Sequence, residues 1–300
     1  MKVRDIGEIA LIKRFANKIR IDSSVVKGSG DDTAVMKWTK DKYQLFTCDM
    51  LIEDVHFKIK NARPSQIGYK ALARNISDIA AMGGVPRYAV VSMGFDPRSS
   101  VSFIEKVVGG MIKLANKYKI NIVGGDVAKS GKLIIDIALI GEVEKKNLVL
   151  RSGARIGDLV FVTGAIGGSQ KGKHLDFTPR IEEARALVRK FKINSMIDTS
   201  DGLFLDFSRI LKASKVGGRL YEKLIPIART AGSFEKAVSE GEDFELLFTM
   251  SPKEALKASK MKLKTPVSLI GQIIEEKEGL KLVDKNGIEK QVSAKGFLHF

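Results

Sequence analysis

Hydrophobic positions in the first half of the chain switch between two periods. Over residues 6–19, Ile9, Ile12, Phe15, Ala16 and Ile19 recur at helical steps, which predicts an amphipathic helix with one stripe. A turn follows at Lys27-Gly28-Ser29-Gly30, and Asp32 to Trp38 and Tyr43 to Asp49 read as strands. In the second strand Leu45, Thr47 and Asp49 share a face by the two-residue period, with Asp49 expected at the C-terminal end. Residues 65–82 carry the clearest helical pattern, with Tyr69, Leu72, Ala73, Ile76, Ile79 and Ala80 as the buried stripe. Lys70, Arg74, Ser77, Asp78 and Ala81 fall on the other face, and Gly83-Gly84 ends the helix. Then come a strand near Tyr88 to Gly94, a helix from Phe103 to Tyr118, and a short strand from Ile120 to Val123 running into Gly124-Gly125-Asp126. A longer strand spans Leu133 to Val143.

A boundary is expected at residues 144–158, where Glu144-Lys145-Lys146-Asn147 and Arg151-Ser152-Gly153-Ala154 have turn composition. The second half restarts with a strand, Leu159 to Thr163, followed by a glycine-rich loop and a helix from Ile181 to Phe191. After the turn Asp198–Gly202 comes a helix, Leu203 to Ser214, striped by Leu203, Phe207, Ile210 and Leu211. Phe244 to Met250 and Val267 to Ile274 read as strands. The simplest layout is two α+β domains, residues 1–145 and 146–300, with a site between them.

Composition narrows the classes. Three hundred residues with 44% hydrophobic and 29% charged side chains describe an ordinary folded protein with room for a sizeable core. The longest apolar stretch, Leu133 to Val143, is broken by Asp136 and Gly141-Glu142 and is too short to span a bilayer. The start, Met1-Lys2-Val3-Arg4-Asp5, has no apolar signal core, and Cys48 is the single cysteine; both fit a cytoplasmic protein. One cysteine and three scattered histidines (His56, His174, His299) leave no basis for a zinc or other soft-metal centre. The net charge of +16 raises nucleic-acid binding as a possibility. Yet the basic residues are dispersed and not interleaved with aromatics, so a lysine-rich solvated surface is the stronger reading and no specific nucleic acid is expected.

Against that basic background, acids gather in small-residue turns: Gly30-Asp31-Asp32, Cys48-Asp49-Met50, Gly124-Gly125-Asp126 and Asp198-Thr199-Ser200-Asp201-Gly202, with Asp78 on a helix between the second and third. Singly, each aspartate reads as a turn or capping residue. Their repeated context points instead to hard-cation ligands, with Mg²⁺ and phosphorylated substrates the natural partners. The segment Gly164 to His174 has the spacing of a P-loop at Gly167, Gly172 and Lys173, but His174 stands where the Mg²⁺-binding hydroxyl is required. It reads as a flexible glycine loop.

The ordered motifs are long. They are Gly30-Asp31-Asp32-Thr33-Ala34-Val35, Asp49 through Phe57, Lys70-Ala71-Leu72-Ala73-Arg74-Asn75-Ile76-Ser77-Asp78 through Gly83, Gly124-Gly125-Asp126, Arg151-Ser152-Gly153-Ala154, Ile197 through Leu203, and Gly241-Glu242-Asp243-Phe244-Glu245-Leu246. In this the chain closely resembles the thiamine-monophosphate kinases, within the superfamily that includes aminoimidazole ribonucleotide synthetase. The resemblance implies an α+β, two-domain aminoimidazole ribonucleotide synthetase-like fold. Its N-terminal mixed sheet would have helices on one face, and its C-terminal domain would be an α/β sandwich. It implies ATP-dependent phosphorylation of thiamine monophosphate to thiamine diphosphate, assisted by several Mg²⁺ ions. It also implies a homodimer paired through the N-terminal domain, which would bind ATP and Mg²⁺, while the C-terminal domain completes the site. Carried over by position, Asp32, Thr47, Cys48, Asp49, Asp78, Asp126, Asp198 and Asp201 are expected at metal, Cys48 through its carbonyl. Gly125, Asp126, Arg151 and Ser200 are expected at the nucleotide, and His56, Glu242 and Phe297 at thiamine phosphate, with no general base.

Two departures stand out. Val127-Ala128-Lys129 replaces the usual Thr-Thr-Arg after Gly-Gly-Asp, losing a hydroxyl pair and a guanidinium fork. Ala294 stands where an aromatic substrate contact is usual, which moves that expectation to Phe297. The rivals are another ATP-dependent enzyme of the superfamily, such as an aminoimidazole ribonucleotide synthetase or a selenophosphate synthetase, and a basic nucleic-acid-binding protein. No reactive Cys precedes Cys48, and the chain ends Leu298-His299-Phe300 rather than in the cysteine of the related maturation proteins.

Overall fold

The computed structural model describes residues 2–16, 18–294, 296 and 297, so Leu298-His299-Phe300 lies outside the described residues. The first half runs α1 (Val3–Ile6), α2 (Glu8–Ala16), β1 (Val25–Lys27), β2 (Ala34–Lys37), β3 (Lys42–Ile52), α3 (Pro64–Ala81), β4 (Val85–Phe95), α4 (Val101–Tyr118), β5 (Asn121–Lys129) and β6 (Ile134–Glu144). Its six strands form one sheet in the order β1-β2-β3-β6-β4-β5. β4 and β5 are parallel, and α4 is the crossover that a parallel pair requires.

The second half runs β7 (Leu159–Thr163), α5 (Lys173–Asp176), α6 (Ile181–Lys190), β8 (Ser195–Asp198), α7 (Leu203–Ser214), β9 (Gly217–Tyr221), α8 (Phe234–Ser239), β10 (Leu246–Met250), α9 (Pro252–Ala258), β11 (Val267–Ile274), β12 (Leu280–Val283) and β13 (Glu289–Gln291). Seven strands form its sheet, ordered β13-β12-β9-β11-β7-β10-β8. The two mixed sheets, each with its helices, match the two-domain α+β expectation.

Helix α3 is the centre of the molecule. Pro64 opens it with its φ already set for a helix, and Gly83, at φ 71°, closes it in the left-handed region. It packs on β3 and β6 of its own sheet and also on α5, α6 and β8 of the second half. Leu72, Ile76 and Ile79 are fully buried, each worth roughly 1.5–3 kcal/mol of transfer free energy. The core that includes them continues from Val35 and Leu45 to Phe244, Phe248 and Met250, so the two halves share it. Helices α3 and α4 touch backbone to backbone. A Cβ on Gly68 would stand 1.8 Å from the Val107 carbonyl oxygen, and one on Gly110 would stand 1.9 Å from that of Ser65.

Four expectations are corrected. Lys70, Ser77 and Ala81, assigned to the outward face of the 65–82 helix, are buried because the second half covers that face. Helix α2 stops at Ala16, short of residue 19, and its stripe Ile9, Ile12 and Phe15 is exposed. Asp49 is within β3, which continues to Ile52, rather than at its end. Gly124-Gly125-Asp126 is part of β5 rather than a turn after it.

Candidate active site

Three aspartates from distant segments converge beside the C-terminal part of α3. Oxygens of Asp32, Asp78 and Asp198 all lie within 4.8 Å of one another. Asp32 comes from the loop before β2, Asp78 from α3, and Asp198 from the end of β8. Hydroxyls steer two of them. Thr47 Oγ1 donates to Asp78 Oδ2 at 2.5 Å, and Ser77 Oγ donates to Asp198 Oδ2 at 2.5 Å. Arg151 Nη2 donates to Asp32 Oδ1 at 2.6 Å, while the Arg151 backbone N–H donates to Asp31.

Burial first, then repulsion from neighbouring acids, raises the affinity of Asp198, Asp78 and Asp31 for protons. Asp198 is pushed up to about 7 by burial and by the charge of Asp32. Asp78 is pushed well above the carboxylate range by burial and by Asp49, Asp198 and Asp32. Asp31 rises to about 6 by burial and the neighbouring Asp32. Asp32 Oδ2 is buried without a hydrogen-bond partner. An all-oxygen set of crowded carboxylates with an unpaired buried lone pair fits a hard divalent cation such as Mg²⁺. Asp49 belongs to the same neighbourhood, since its charge acts on both Asp78 and Asp198.

The loop after β8 is held from three sides. Asp206, fully buried on α7, accepts from the backbone N–H groups of Asp201 and Gly202. Arg209 bridges Asp201 and Asp206, both at 2.6 Å. The Ser200 carbonyl accepts from Glu242 N at 2.7 Å, and the Asp201 carbonyl accepts from Phe297 N at 2.8 Å. Glu242 itself sits at φ 67°, a left-handed conformation uncommon for a non-glycine residue.

Two turns back along α3 lies a second constellation. Lys70 Nζ, completely buried, is 2.6 Å from Glu242 Oε1 and donates to the His56 carbonyl at 2.7 Å. His174 Nδ1 lies 2.7 Å from Lys70 Nζ and 3.0 Å from Glu242 Oε2, and Gln170 Nε2 donates to the same oxygen. Burial lowers the Lys70 ammonium to about 8, against the pull of Glu242. Burial also opposes the Glu242 charge, but His174 and Lys70 outweigh it and hold the acid near 2. The pair is therefore ionised at neutral pH. Above it opens a cavity of about 410 Å³ lined by His56, Phe57, Asn61, Gln170 and His174 among others. His56 is fixed at its rim by the Ile52 N–H, which donates to Nδ1.

The remaining expected residues are placed differently. Asp126 pairs in register with Ser92, which pairs with Asp136, which pairs with Met50; that row crosses the face of the sheet turned away from α3. Asp126 is thus on the opposite face from Thr47, Asp49 and Asp78. Cys48 shares this open face, its thiol 3.3 Å from Asp136 and pushed up to about 11 by burial and the adjacent acid. Gly125 is required by close approach, since a Cβ there would meet the Val91 carbonyl oxygen at 1.8 Å. Phe297 is 44% exposed at the Asp201 loop. In the P-loop-like segment, Gly167 N donates to Asp243 and Lys173 Nζ pairs with Glu245 at 2.9 Å, so its phosphate-type donors serve internal acids.

Sequence reasoning left out Lys70, Arg74, Ser77 and His174. For Lys70 and Arg74 the available signal was spacing, since they stand eight and four residues before Asp78; Ser77 offered only its place beside Asp78. His174 gave none, being brought to Lys70 across 104 residues.

Comparison with known proteins places the chain in a family. Residues 30–143 match the N-terminal domain of AIR synthase related proteins, and residues 149–283 match the C-terminal domain. The thiamine-monophosphate kinase of Rhodopirellula baltica is 37% identical over 92% of each chain. That of Bacillus subtilis is 35% identical over 98% of this chain and 99% of its own. A solved structure of AaThiL complexed with AMPPCP and TMP superposes with a TM-score of 0.86 at 30% identity, covering 100% of this chain and 99% of that one. The thiamine monophosphate kinase of Aquifex aeolicus superposes with a TM-score of 0.81 at 28% identity, over 97% of this chain and 100% of that one. The chain belongs to the thiamine-monophosphate kinase family of AIR synthase related proteins.

Proposed function

We propose that this chain transfers the γ-phosphoryl group of ATP to thiamine monophosphate, giving thiamine diphosphate and ADP. The observation that carries this reading is that α3 joins a carboxylate cluster, through Asp78, to a pocket whose lining residues His56 and His174 are bonded to the buried Lys70. The first suits facing phosphates, and the second suits a heteroaromatic ligand. The acceptor oxygen would attack the γ-phosphorus as the bond to the β,γ-bridging oxygen breaks and ADP departs with that electron pair. By analogy with phosphorylated side chains, a phosphate monoester loses its second proton at about pH 6, so the nucleophile is already an anion at neutral pH. No side chain need remove a proton; the residues orient the reactants and balance charge.

In this reading Asp32, Asp49, Asp78, Asp198 and Asp201, with Thr47, the Cys48 carbonyl and Asp126, would hold several Mg²⁺ ions, whose contribution when bound is to neutralise the opposed phosphates. Gly125, Asp126, Arg151 and Ser200 would receive the nucleotide. His56, Glu242 and Phe297 would receive thiamine phosphate, with Glu242, held ionised, accepting from the aminopyrimidine. Residues 1–145 would carry ATP binding and dimerisation, and residues 146–300 would complete the site.

A homodimer follows from the same reading. The face of the first sheet turned away from α3 exposes Phe46, Met50, Tyr88 and Val90, an apolar area of the kind that subunit contacts cover. Asp126 belongs to that face, which sets the nucleotide site near the subunit boundary. No helix among the described residues is long and apolar enough to cross a membrane, and the charged substrates suit a cytoplasmic enzyme. The deciding experiment measures ADP release and thiamine diphosphate formation with Mg²⁺ and thiamine monophosphate. ATP consumption that ignores thiamine monophosphate, or none at all, would overturn the assignment.

A further inference from the structure

Between the carboxylate cluster and the ion-pair pocket, α3 carries one more cation. Lys70, Arg74 and Asp78 recur every four residues, so they follow one face of the helix at steps of about 6 Å. Lys70 bonds His56 and His174 of the pocket lining, and Asp78 belongs to the cluster; Arg74 stands midway. Its guanidinium is only 14% exposed, and the carboxylates acting on it are Asp49, Glu242, Asp78 and Asp201, which come from both constellations and both halves of the chain. Its hydrogen bonding is poor for so buried a group. Nη1 donates to the Met50 carbonyl at a long 3.3 Å, and Nε is 3.5 Å from Asp49 Oδ2, buried and without a hydrogen-bond partner. A planar fork of donors left underused in a site for phosphates is suited to a tetrahedral oxyanion.

We propose that Arg74 is a catalytic residue that grips the phosphate of thiamine monophosphate. Building on the function proposed above, a ligand whose rings occupy the pocket lined by His56, Gln170 and His174 and whose phosphate reaches the Asp32–Asp78–Asp198 cluster must pass Arg74. The guanidinium donates to non-attacking oxygens of the acceptor phosphate, fixing which oxygen faces ATP. As the new bond to the γ-phosphorus forms and the β,γ-bridging bond breaks, with ADP taking the electron pair, the positive charge of Arg74 stays beside the oxygens of the phosphate being joined. No proton moves to or from it, since an arginine does not give one up at working pH.

The test compares wild type, Arg74→Gln and Arg74→Lys in the full chain, with melting temperatures confirming the fold. Calorimetric titration with thiamine monophosphate and with thiamine, which has the same rings and no phosphate, separates the phosphate contact from pocket integrity. Arg74→Gln should lower kcat/KM for thiamine monophosphate by about 10- to 100-fold, the loss of one charge-assisted contact, with KM for ATP unchanged. It should weaken thiamine monophosphate binding about tenfold or more while leaving thiamine binding alone. Arg74→Lys should recover part of both losses. The proposal is overturned if thiamine monophosphate turnover and affinity are untouched, or if both ligands weaken together. A wild-type chain inactive on thiamine monophosphate sinks the function itself, whereas an active wild type with an indifferent Arg74→Gln sinks only the role of Arg74.

Discussion

Two buried clusters of charge, two helical turns apart on α3, solve the same problem in opposite ways. At the pocket, Glu242 meets Lys70, His174 and Gln170, and its carboxylate is held near 2. At the other end, Asp78 meets Asp32 and Asp198, and Asp78 and Asp198 are pushed up instead. Depth of burial is similar, and the sign of the neighbours makes the difference. The pocket is a finished network, complete within this chain. The cluster is unfinished, and its relief must come from protons or from a cation that the chain does not encode. A completed polar network fixes geometry; a crowded set of like charges reserves a place for something else.

The sharpest way to break the comparison is to remove the cation from the finished network. Lys70→Met leaves Glu242 buried beside a neutral side chain. The expected cost is about 3–5 kcal/mol of stability, as for other broken buried pairs, measured as a drop in urea midpoint at pH 7. Adding Glu242→Gln to that variant should restore part of the loss, because the stranded charge goes with it. If the single variant unfolds at the wild-type urea concentration, the network is not a closed unit.

The matching change in the unfinished cluster should have the reverse effect on the empty protein. Asp78→Asn removes a repelled charge, so the metal-free chain should melt no lower than wild type, while turnover falls about 10²- to 10³-fold, the scale seen when a group stabilising transition-state charge is lost. Differential scanning calorimetry in chelator and a thiamine diphosphate assay in Mg²⁺ provide the two readouts. Near-normal turnover would remove Asp78 from the site, and a large fall in metal-free melting temperature would show that its charge is already compensated.

The two clusters were not equally legible in the sequence. Asp32, Asp78 and Asp198 could be nominated because aspartates in small-residue contexts are conspicuous in a basic chain, and the structure does bring these three together. Asp126 shared their local context yet lies on the other face of the sheet, because strand alternation, not composition, decides where a side chain points. The pocket was half visible: His56 and Glu242 came from family motifs. Lys70 was placed on the face opposite the buried stripe because the helix was read as having one buried side, and α3 is covered on two. Of the fold, the long strands and helices of the first half were readable from their periods. The strand Gly217–Tyr221 was missed, since its paired glycines look like a turn; they are tolerated there because a Cβ on Gly218 would strike the Phe207 ring at 2.5 Å.

The smallest effect expected is in the response of the metal-free protein to pH, and it too separates the clusters by sign. Asp198 has its folded pKa raised to about 7 and Asp31 to about 6, both above the unfolded value of 3.8. Between those limits the folded chain holds protons that the unfolded chain has lost, so stability from these groups falls as pH rises from about 4 through 7. Glu242, depressed from 4.5 to about 2, contributes stability that is present above 4.5 and lost as pH falls through 2. Over pH 5–7.5 the Glu242 contribution is therefore constant, and Asp198 and Asp31 dominate together with Asp243, which burial also raises to about 6 outside the cluster. Melting temperature in chelator should decline by several degrees over that window, of the order expected for 1–2 kcal/mol in a chain of this size. Saturating Mg²⁺ should reduce the decline to the part due to Asp243, because a bound cation replaces the protons of the cluster and binds more tightly as they leave. A metal-free melting curve that is level over pH 5–7.5, or one that falls equally with Mg²⁺ present, would mean that the three aspartates are not a cation site left open.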